Sequence, residues 1–520
     1  MISKVLRSFG NIRFNKKAKI TCITFILSLS IAVVQFAPLL LRLHYSSDSY
    51  HLIADQHTTW YLQCGRYTFW LFACLIDNLQ INLVLSQRIF IGLCLPCLAL
   101  SSTMVVRLYS KLCGLEDDQR TLFLVLPASL IWGNVFVEDW LLFPEVAGMI
   151  AIGAVMLALS IQFTFSKAGF KSIVASSLCL LLALGCYQSL VGSYVAAVTI
   201  GAVLEGPGEV QTTIKRAAKG IFTGLICAVI SVLILKIIGN VIGDSGRGST
   251  FSPSIILLNI SRVVDYQLSF FLNADGLLFV PEMQFLEIAG LIAITALFKK
   301  NTRKGILYLT ALLIGLAASY APHYVESNIV LSPRSNVATW MAIGCIAIAL
   351  FCEALIHSQD DEMIAKQCLP CFGRKLISFC CMAFLIAFIG LNTASIWDIS
   401  YDIYTSNVQD RNYAQQVANR IKEHEQETVT QITALGIVND AHVETTYPET
   451  RYNNCELGRR IMNCSYANVE MINYLGNLNL ETLSLADNER SELFGDRDWS
   501  SLNLDEQLVF KGDKAYLVLY

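Results

Sequence analysis

Apolar runs of about 20 residues, the length that crosses a bilayer, recur along the first 397 positions of this 520-residue chain. A backbone inside hydrocarbon must satisfy its own hydrogen bonds, so such runs fold as helices. The loops between them are basic on alternate sides. One side, N-terminus included, holds 21 Lys and Arg. The other holds six, all arginine: Arg42, Arg66, Arg88, Arg247, Arg262 and Arg334. Basic flanks stay cytoplasmic, so the N-terminus reads as inside. Asp, Glu, His and aromatic residues gather on the outer side, where chemistry is therefore expected.

The pattern predicts about eleven transmembrane helices, near 20–43, 89–109, 121–137, 143–165, 172–188, 189–204, 220–242, 277–298, 305–320, 334–357 and 376–397. Outer loops fall at 44–66, 243–276 and 321–333, with a half-apolar stretch at 67–85 lying along the surface. Glu138-Asp139-Trp140 reads as a tight outer turn. The basic N-terminus precedes an apolar run too long for a cleaved signal, so the first span reads as retained. An odd number of spans leaves the C-terminus outside.

Only 15% of the chain is charged, well below the quarter or so of a soluble protein. The charge is unevenly spread. Residues 398–520 hold 20 Asp and Glu against 10 Lys and Arg, and mix a helical pattern (402–422) with strand-like stretches (429–438 and 509–519). The division is thus a transmembrane domain, 1–397, and a small periplasmic α/β domain, 398–520. Basic residues are scattered over short loops, which argues against nucleic acid as a partner. Most cysteines sit inside spans as small apolar residues. Cys368-Leu-Pro-Cys371 lacks the further ligands that a zinc site needs, and Cys455 and Cys464 could pair in an oxidising compartment.

Several outer residues have chemical potential. Asp48 lies just past the first span, at the mouth of an apolar bundle, where a carboxylate can take a proton from a hydroxyl; Asp55 follows it. A solvated loop acid is the plainer reading of both. Gly65-Arg66 could set a guanidinium against a phosphate. Glu138, Asp139 and Glu145 are acids at the edge of hydrocarbon, which usually face a polar cavity; they could bind a cation, orient a sugar or cap a helix. Tyr187-Gln188 could hydrogen-bond sugar hydroxyls. Arg334 sits where a cation opposes the helix dipole, which favours an anionic partner, a lipid phosphate being the obvious one. His323, near Glu326, could bind substrate.

These residues, in this order, resemble a known family. The pattern is an acid-bearing loop ending in Gly65-Arg66, a Tyr187-Gln188 tip, Pro333-Arg334 opening a late span, and a tail entry running Asn392-Thr-Ala-Ser-Ile, Asp410-Arg-Asn-Tyr and Ala418-Asn-Arg-Ile421. It is similar to the Gtr-type glucosyltransferases that decorate O-antigen in enteric bacteria, often carried by serotype-converting prophages. The resemblance implies a GT-C-like membrane fold in the bacterial inner membrane. It also implies an undecaprenyl-phosphate sugar as donor, a lipid-linked O-antigen polysaccharide as acceptor, and modification of lipopolysaccharide on the periplasmic face. Catalysis would be a direct, inverting displacement at the anomeric carbon. Asp48 is the first choice of base, with Asp139 and Asp55 as competitors. Arg66 and Arg334 would hold the donor phosphate, and Glu138, Glu145, Tyr187, Gln188 and His323 would contact substrate. Family members commonly carry two adjacent acids where this chain reads Asp48-Ser49, which weakens the case for a two-carboxylate metal site; a divalent cation stays open as a cofactor. The alternatives are another lipid-linked-sugar glycosyltransferase, an O-antigen polymerase, and a transporter or flippase.

Overall fold

The computed structural model describes residues 16–55, 58–206, 210–243, 252–273, 277–278, 282–364, 371–440, 443–448, 450, 459–495 and 503–519. The sequence readings on Arg247, Cys368 and Cys455 fall outside them. Cys464 is buried.

Most of the expected spans fall on helices, the one at 121–137 on a pair broken at Gly133-Asn134. α1 (Lys16–Gln35) runs into the short α2 (Ala37–Leu41). The loop after it is locally helical, as α3 (Ser49–Ala54) and α4 (Thr58–Gln63), and leads to α5 (Tyr67–Asn78). Then come α6 (Gln87–Leu112), α7 (Val125–Trp132), α8 (Val135–Leu141), α9 (Ala147–Thr164), α10 (Phe170–Leu184), α11 (Leu190–Glu205) and α12 (Val210–Ile242). The last membrane-type helices are α13 (Pro253–Asn273), α14 (Glu282–Lys300), α15 (Thr302–Ser319), α17 (Val337–Ile364) and the first part of α18 (Cys371–Thr428), with the single-turn α16 (Ala321–Tyr324) before α17. Among the described residues seven helices are long and apolar enough to cross a membrane, or eight if the bent pair Gln119–Trp132 and Val135–Leu141 counts as one. The shorter α10 and α11 are apolar as well.

Two local expectations change. The outer loop at 243–276 contains α13, which starts at Pro253 with Ser252 before it; a proline at the first helical position already has the right φ and needs no N–H partner. Its contacts descend step by step. Asn259 Nδ2 donates to the carbonyls of His323, Tyr324 and Glu326, Gln267 Nε2 donates to Leu316 O, and Phe270 packs on Phe136 and Trp340. α14 continues in the same direction, with Phe285 on Phe384 and Ala289 O accepting from Cys381 Sγ. The contacts of α13 and α14 thus descend in series along the neighbouring helices.

The second change concerns Glu138-Asp139-Trp140. The tight turn is instead the middle of α8, and all three residues are buried.

At one end of the bundle four of the basic residues are paired: Lys17 with Glu116, Arg120 with Asp118 at 2.7 Å, Arg216 with Glu205, and Lys304 with Glu353. Phe136, Phe270, Trp340 and Phe388 meet in the middle, with ring centroids 5.4–6.0 Å apart. At the other end lie the loop at 44–66, α8, the 187–188 tip and the 320–336 stretch.

α18 does not stop at the edge of the apolar segment. It runs unbroken for 58 residues and carries the tail on its far half. There Ala414, Val417, Ala418 and Ile421 pack with a four-stranded mixed sheet of order β2-β1-β4-β3. β1 (Ala434–Asn439) lies parallel to both β2 (Glu481–Leu483) and β4 (Lys514–Leu519), and β3 (Leu508–Lys511) pairs antiparallel with β4. The closing strand read at 509–519 is therefore a hairpin, turned at Gly512, whose φ of +66° suits glycine at the first turn position. α19 (Asn468–Gly476) completes the layer. The hydrophobic core of the tail also takes in Tyr45, Tyr50, Leu52 and Val84, so the tail is seated on the first loop.

Candidate functional site

The site begins with a helix break. Asn134 adopts an extended backbone, and its Oδ1 accepts from the N–H groups of Phe136 and Val137 at 3.2 and 3.1 Å. That N-cap starts α8 afresh, 54° off the preceding helix. The carbonyl of Gly133, left over by the break, accepts from Gln35 Nε2 (3.2 Å) and Asn392 Nδ2 (2.9 Å). With α1 and α18 pinning the break, α8 turns Glu138 and Asp139 into the interior.

Asp139 meets Arg334. Its Oδ2 accepts from the Arg334 backbone N–H at 2.8 Å and lies 3.8 Å from the guanidinium, which also stacks over Phe143. The anionic partner expected for Arg334 is thus, in this structure, a carboxylate of the chain itself. Glu138 is fully buried; Ser400 Oγ of α18 donates to its Oε1 at 2.5 Å.

A second cluster forms around Glu145, in the turn at Pro144–Val146. Ser46 Oγ and Ser49 Oγ donate to its two oxygens at 3.2 and 3.4 Å. Asp48 and Arg66 are both within electrostatic reach of it. The fold therefore brings up a second carboxylate beside Asp48, from across the chain, although Ser49 stands next to Asp48 in sequence. The loop is anchored by His44, whose ring Nε2 lies 3.0 Å from Leu141 O and whose backbone N–H donates to Gln87 Oε1.

Arg66 stacks over Trp60, its guanidinium carbon 5.2 Å from the ring centroid. Gly65 before it has φ +74°, and a Cβ there would come within 2.5 Å of Gln188 Nε2. Only glycine meets both demands without strain. Gln188 Nε2 donates to Cys64 O at 3.1 Å, and Tyr187 stands edge-on to Trp140 at 4.6 Å. The Tyr-Gln tip thus ties the Arg66 turn to α8, and so links the two clusters.

Asp55 follows the last residue of α3 and is exposed. His323 is buried with Nδ1 3.1 Å from Glu326 Oε1, on the α13 side of the bundle. Among the described residues no group of three His, Cys, Asp or Glu is arranged to hold a metal ion.

The family model for glucosyl transferase GtrII matches residues 37–351, more than half of the chain. The chain belongs to the GtrII glucosyl transferase family. No curated protein and no solved structure matches it. As a GtrII member the protein is a glycosyltransferase, and its long apolar helices make it a membrane protein. The matched stretch includes both clusters and leaves out Ser400 and the tail.

Sequence reasoning missed several groups at this GtrII site. Ser46 and Ser49 are unremarkable loop serines until Glu145 arrives between them. Ser400 and Tyr466 sit hundreds of residues from the acids that they contact. Tyr61 is buried in the first loop, close enough to Glu145, Arg66 and Asp48 to feel their charges. Asn134 did carry a signal, since an Asn ahead of an acid-bearing helical turn is a helix start.

Proposed function

We propose that this GtrII transferase moves a glucosyl (hexosyl) group from a polyprenyl-phosphate donor to a sugar of the O-antigen repeat, on the periplasmic face of the inner membrane, and so modifies lipopolysaccharide. One observation carries the reading. Carboxylates and arginines from the first loop, α8 and the 333–336 turn gather at the end of the bundle away from the paired lysines. That is where a lipid-linked phosphate can meet a water-borne sugar. The Lys and Arg alternation supports assigning this end to the outside, which also puts residues 398–520 there as a periplasmic domain. Helices packed beneath a rim site suit a GT-C-like arrangement, with an apolar slot for the prenyl chain.

In this mechanism Asp48 removes the proton of the acceptor hydroxyl as the oxygen attacks the anomeric carbon. The bond to the lipid phosphate breaks in the same step, and the departing phosphate takes the electron pair. Arg66 stabilises that developing charge. It is better suited than Arg334, whose charge Asp139 already meets. For the same reason Asp139 is the weaker candidate for base, and the exposed Asp55 is weaker still. Buried Glu145 holds Ser46 and Ser49, and through them the turn that presents Asp48. Glu138, Tyr187 and Gln188 shape the walls, while His323 is assigned a more distant contact with substrate.

The test is mass spectrometry of O-antigen repeats from cells with and without the protein. One extra hexose per repeat, lost in Asp48→Asn, supports the proposal. A change in chain length alone would point to a polymerase.

A further inference from the structure

The tail reaches into this site. Tyr466 Oη donates to Asp48 Oδ1 at 3.1 Å, across 418 positions of sequence. The only other hydrogen bond to that carboxylate among the described residues, a long one of 3.4 Å from Ser47 Oγ, also falls on Oδ1. Both bonds thus engage the same oxygen, Oδ1.

The backbone beneath Tyr466 is firmly held. Ile461 N–H donates to Asp410 Oδ2 at 2.5 Å, and Tyr447 Oη donates to the other oxygen at 2.8 Å. Ala467 and Asn468 N–H both donate to Cys464 O, and Asn463 Nδ2 donates to Glu444 O at 2.7 Å. Asp410 belongs to α18, as does Asn407, which brackets Tyr45 with two hydrogen bonds: its Oδ1 accepts from Tyr45 N–H at 2.7 Å and its Nδ2 donates to Tyr45 O at 3.1 Å. Stacked Tyr45 and Tyr50, with Tyr474 against Tyr50, close the seam between loop and tail. One helix thus fixes both the loop that bears Asp48 and the turn that bears Tyr466. Tyr466 itself is half exposed, so its hydroxyl is not buried for the sake of the core.

We infer that Tyr466 is a positioning residue for Asp48: its hydroxyl holds Oδ1 so that Oδ2 faces the acceptor, and the tail is thereby part of the active site. The inference rests on the reading of Asp48 as base. A carboxylate held on one oxygen loses the freedom to turn away from its substrate, an orientational gain that shows in kcat rather than in binding.

The experiment uses the full-length protein in detergent, with undecaprenyl-phosphate glucose as donor and host O-antigen polysaccharide as acceptor. Tyr466→Phe keeps the ring and removes the donor. We expect kcat to fall about ten-fold, the scale of one hydrogen bond to a charged group, with KM for both substrates unchanged. Tyr466→Gln, which restores a donor, should recover more activity than Tyr466→Leu, and this pair decides the question if the Phe variant fails to accumulate. Unchanged kcat in Tyr466→Phe, or equal activity in the Gln and Leu variants, would overturn the positioning role while an inactive Asp48→Asn still upheld the base. An active Asp48→Asn would overturn both.

Discussion

Replacing Asn134 with alanine should unseat α8 and, with it, the acids that α8 carries. The Asn134 side chain is fully buried and makes four contacts: Oδ1 accepts from Phe136 and Val137 N–H, and Nδ2 donates to the carbonyls of Leu130 and Ile131. Loss of an N-cap typically costs about 1 kcal/mol, up to about 2 in a tight setting. The Nδ2 bonds share one amide and add about 1 kcal/mol more. The sum, about 3 kcal/mol, is a factor of roughly 150 in the folding equilibrium. Asn134→Ser keeps a neutral capping acceptor and loses the amide donor, so about two-thirds of the loss should return. The assay is thermal unfolding of the detergent-solubilised protein, read beside hexose transfer. If Asn134→Ala unfolds at the unaltered temperature and transfers at the unaltered rate, the cap does not set α8 and this account of the site's assembly is wrong.

Three more outcomes follow from particular contacts. Ser400→Ala removes the donor to buried Glu138 and should cost about 2 kcal/mol, but less in a Glu138→Gln background; equal costs in a double-mutant cycle would refute the contact. Arg66→Lys keeps a charge but loses the planar fork and the stack on Trp60, so transfer should drop about ten-fold or more, on the scale of one charge-assisted hydrogen bond; measured donor titrations would show it. Burial raises the Asp410 carboxyl to about 6, above the ordinary 3.8, against the opposing pull of Tyr447 and Ile461. Its folded-state pKa lies above the unfolded one, so its contribution is fully present below about pH 4 and fades by about 3 kcal/mol as the pH rises through 6. The difference in melting temperature between the natural chain and Asp410→Asn should therefore vary with pH across that window; a constant difference would count against it.

The membrane character of the chain is legible in its apolar runs because lipid leaves the backbone so few options. The run at 253–273 escaped because Arg262 and Asp265 interrupt it, although Ser252-Pro253 is a fair helix start. The 138–140 stretch misled for another reason: Gly133-Asn134 breaks one helix and at once caps the next, and hydropathy sees only the end of the first. Asp48, Arg66 and Glu145 could be picked out by residue type, but not their grouping. Glu145 joins Asp48 through Ser46 and Ser49, and Arg334 finds Asp139 across 195 positions. Such pairings belong to helix packing, and no local pattern encodes them.

α18 acts as a phase-keeping shaft. Successive residues on a helix are turned by about 100°, so Ser400, Asn407 and Asp410 hold their bearings relative to one another only while the spacing between them is kept. A single residue inserted between Ser400 and Asn407 would leave Glu138 satisfied yet swing everything beyond by more than a quarter turn, carrying Tyr466 off Asp48. Grafting a tail from another chain would meet the same constraint, with the join free to fall anywhere along the shaft provided the count of residues is preserved.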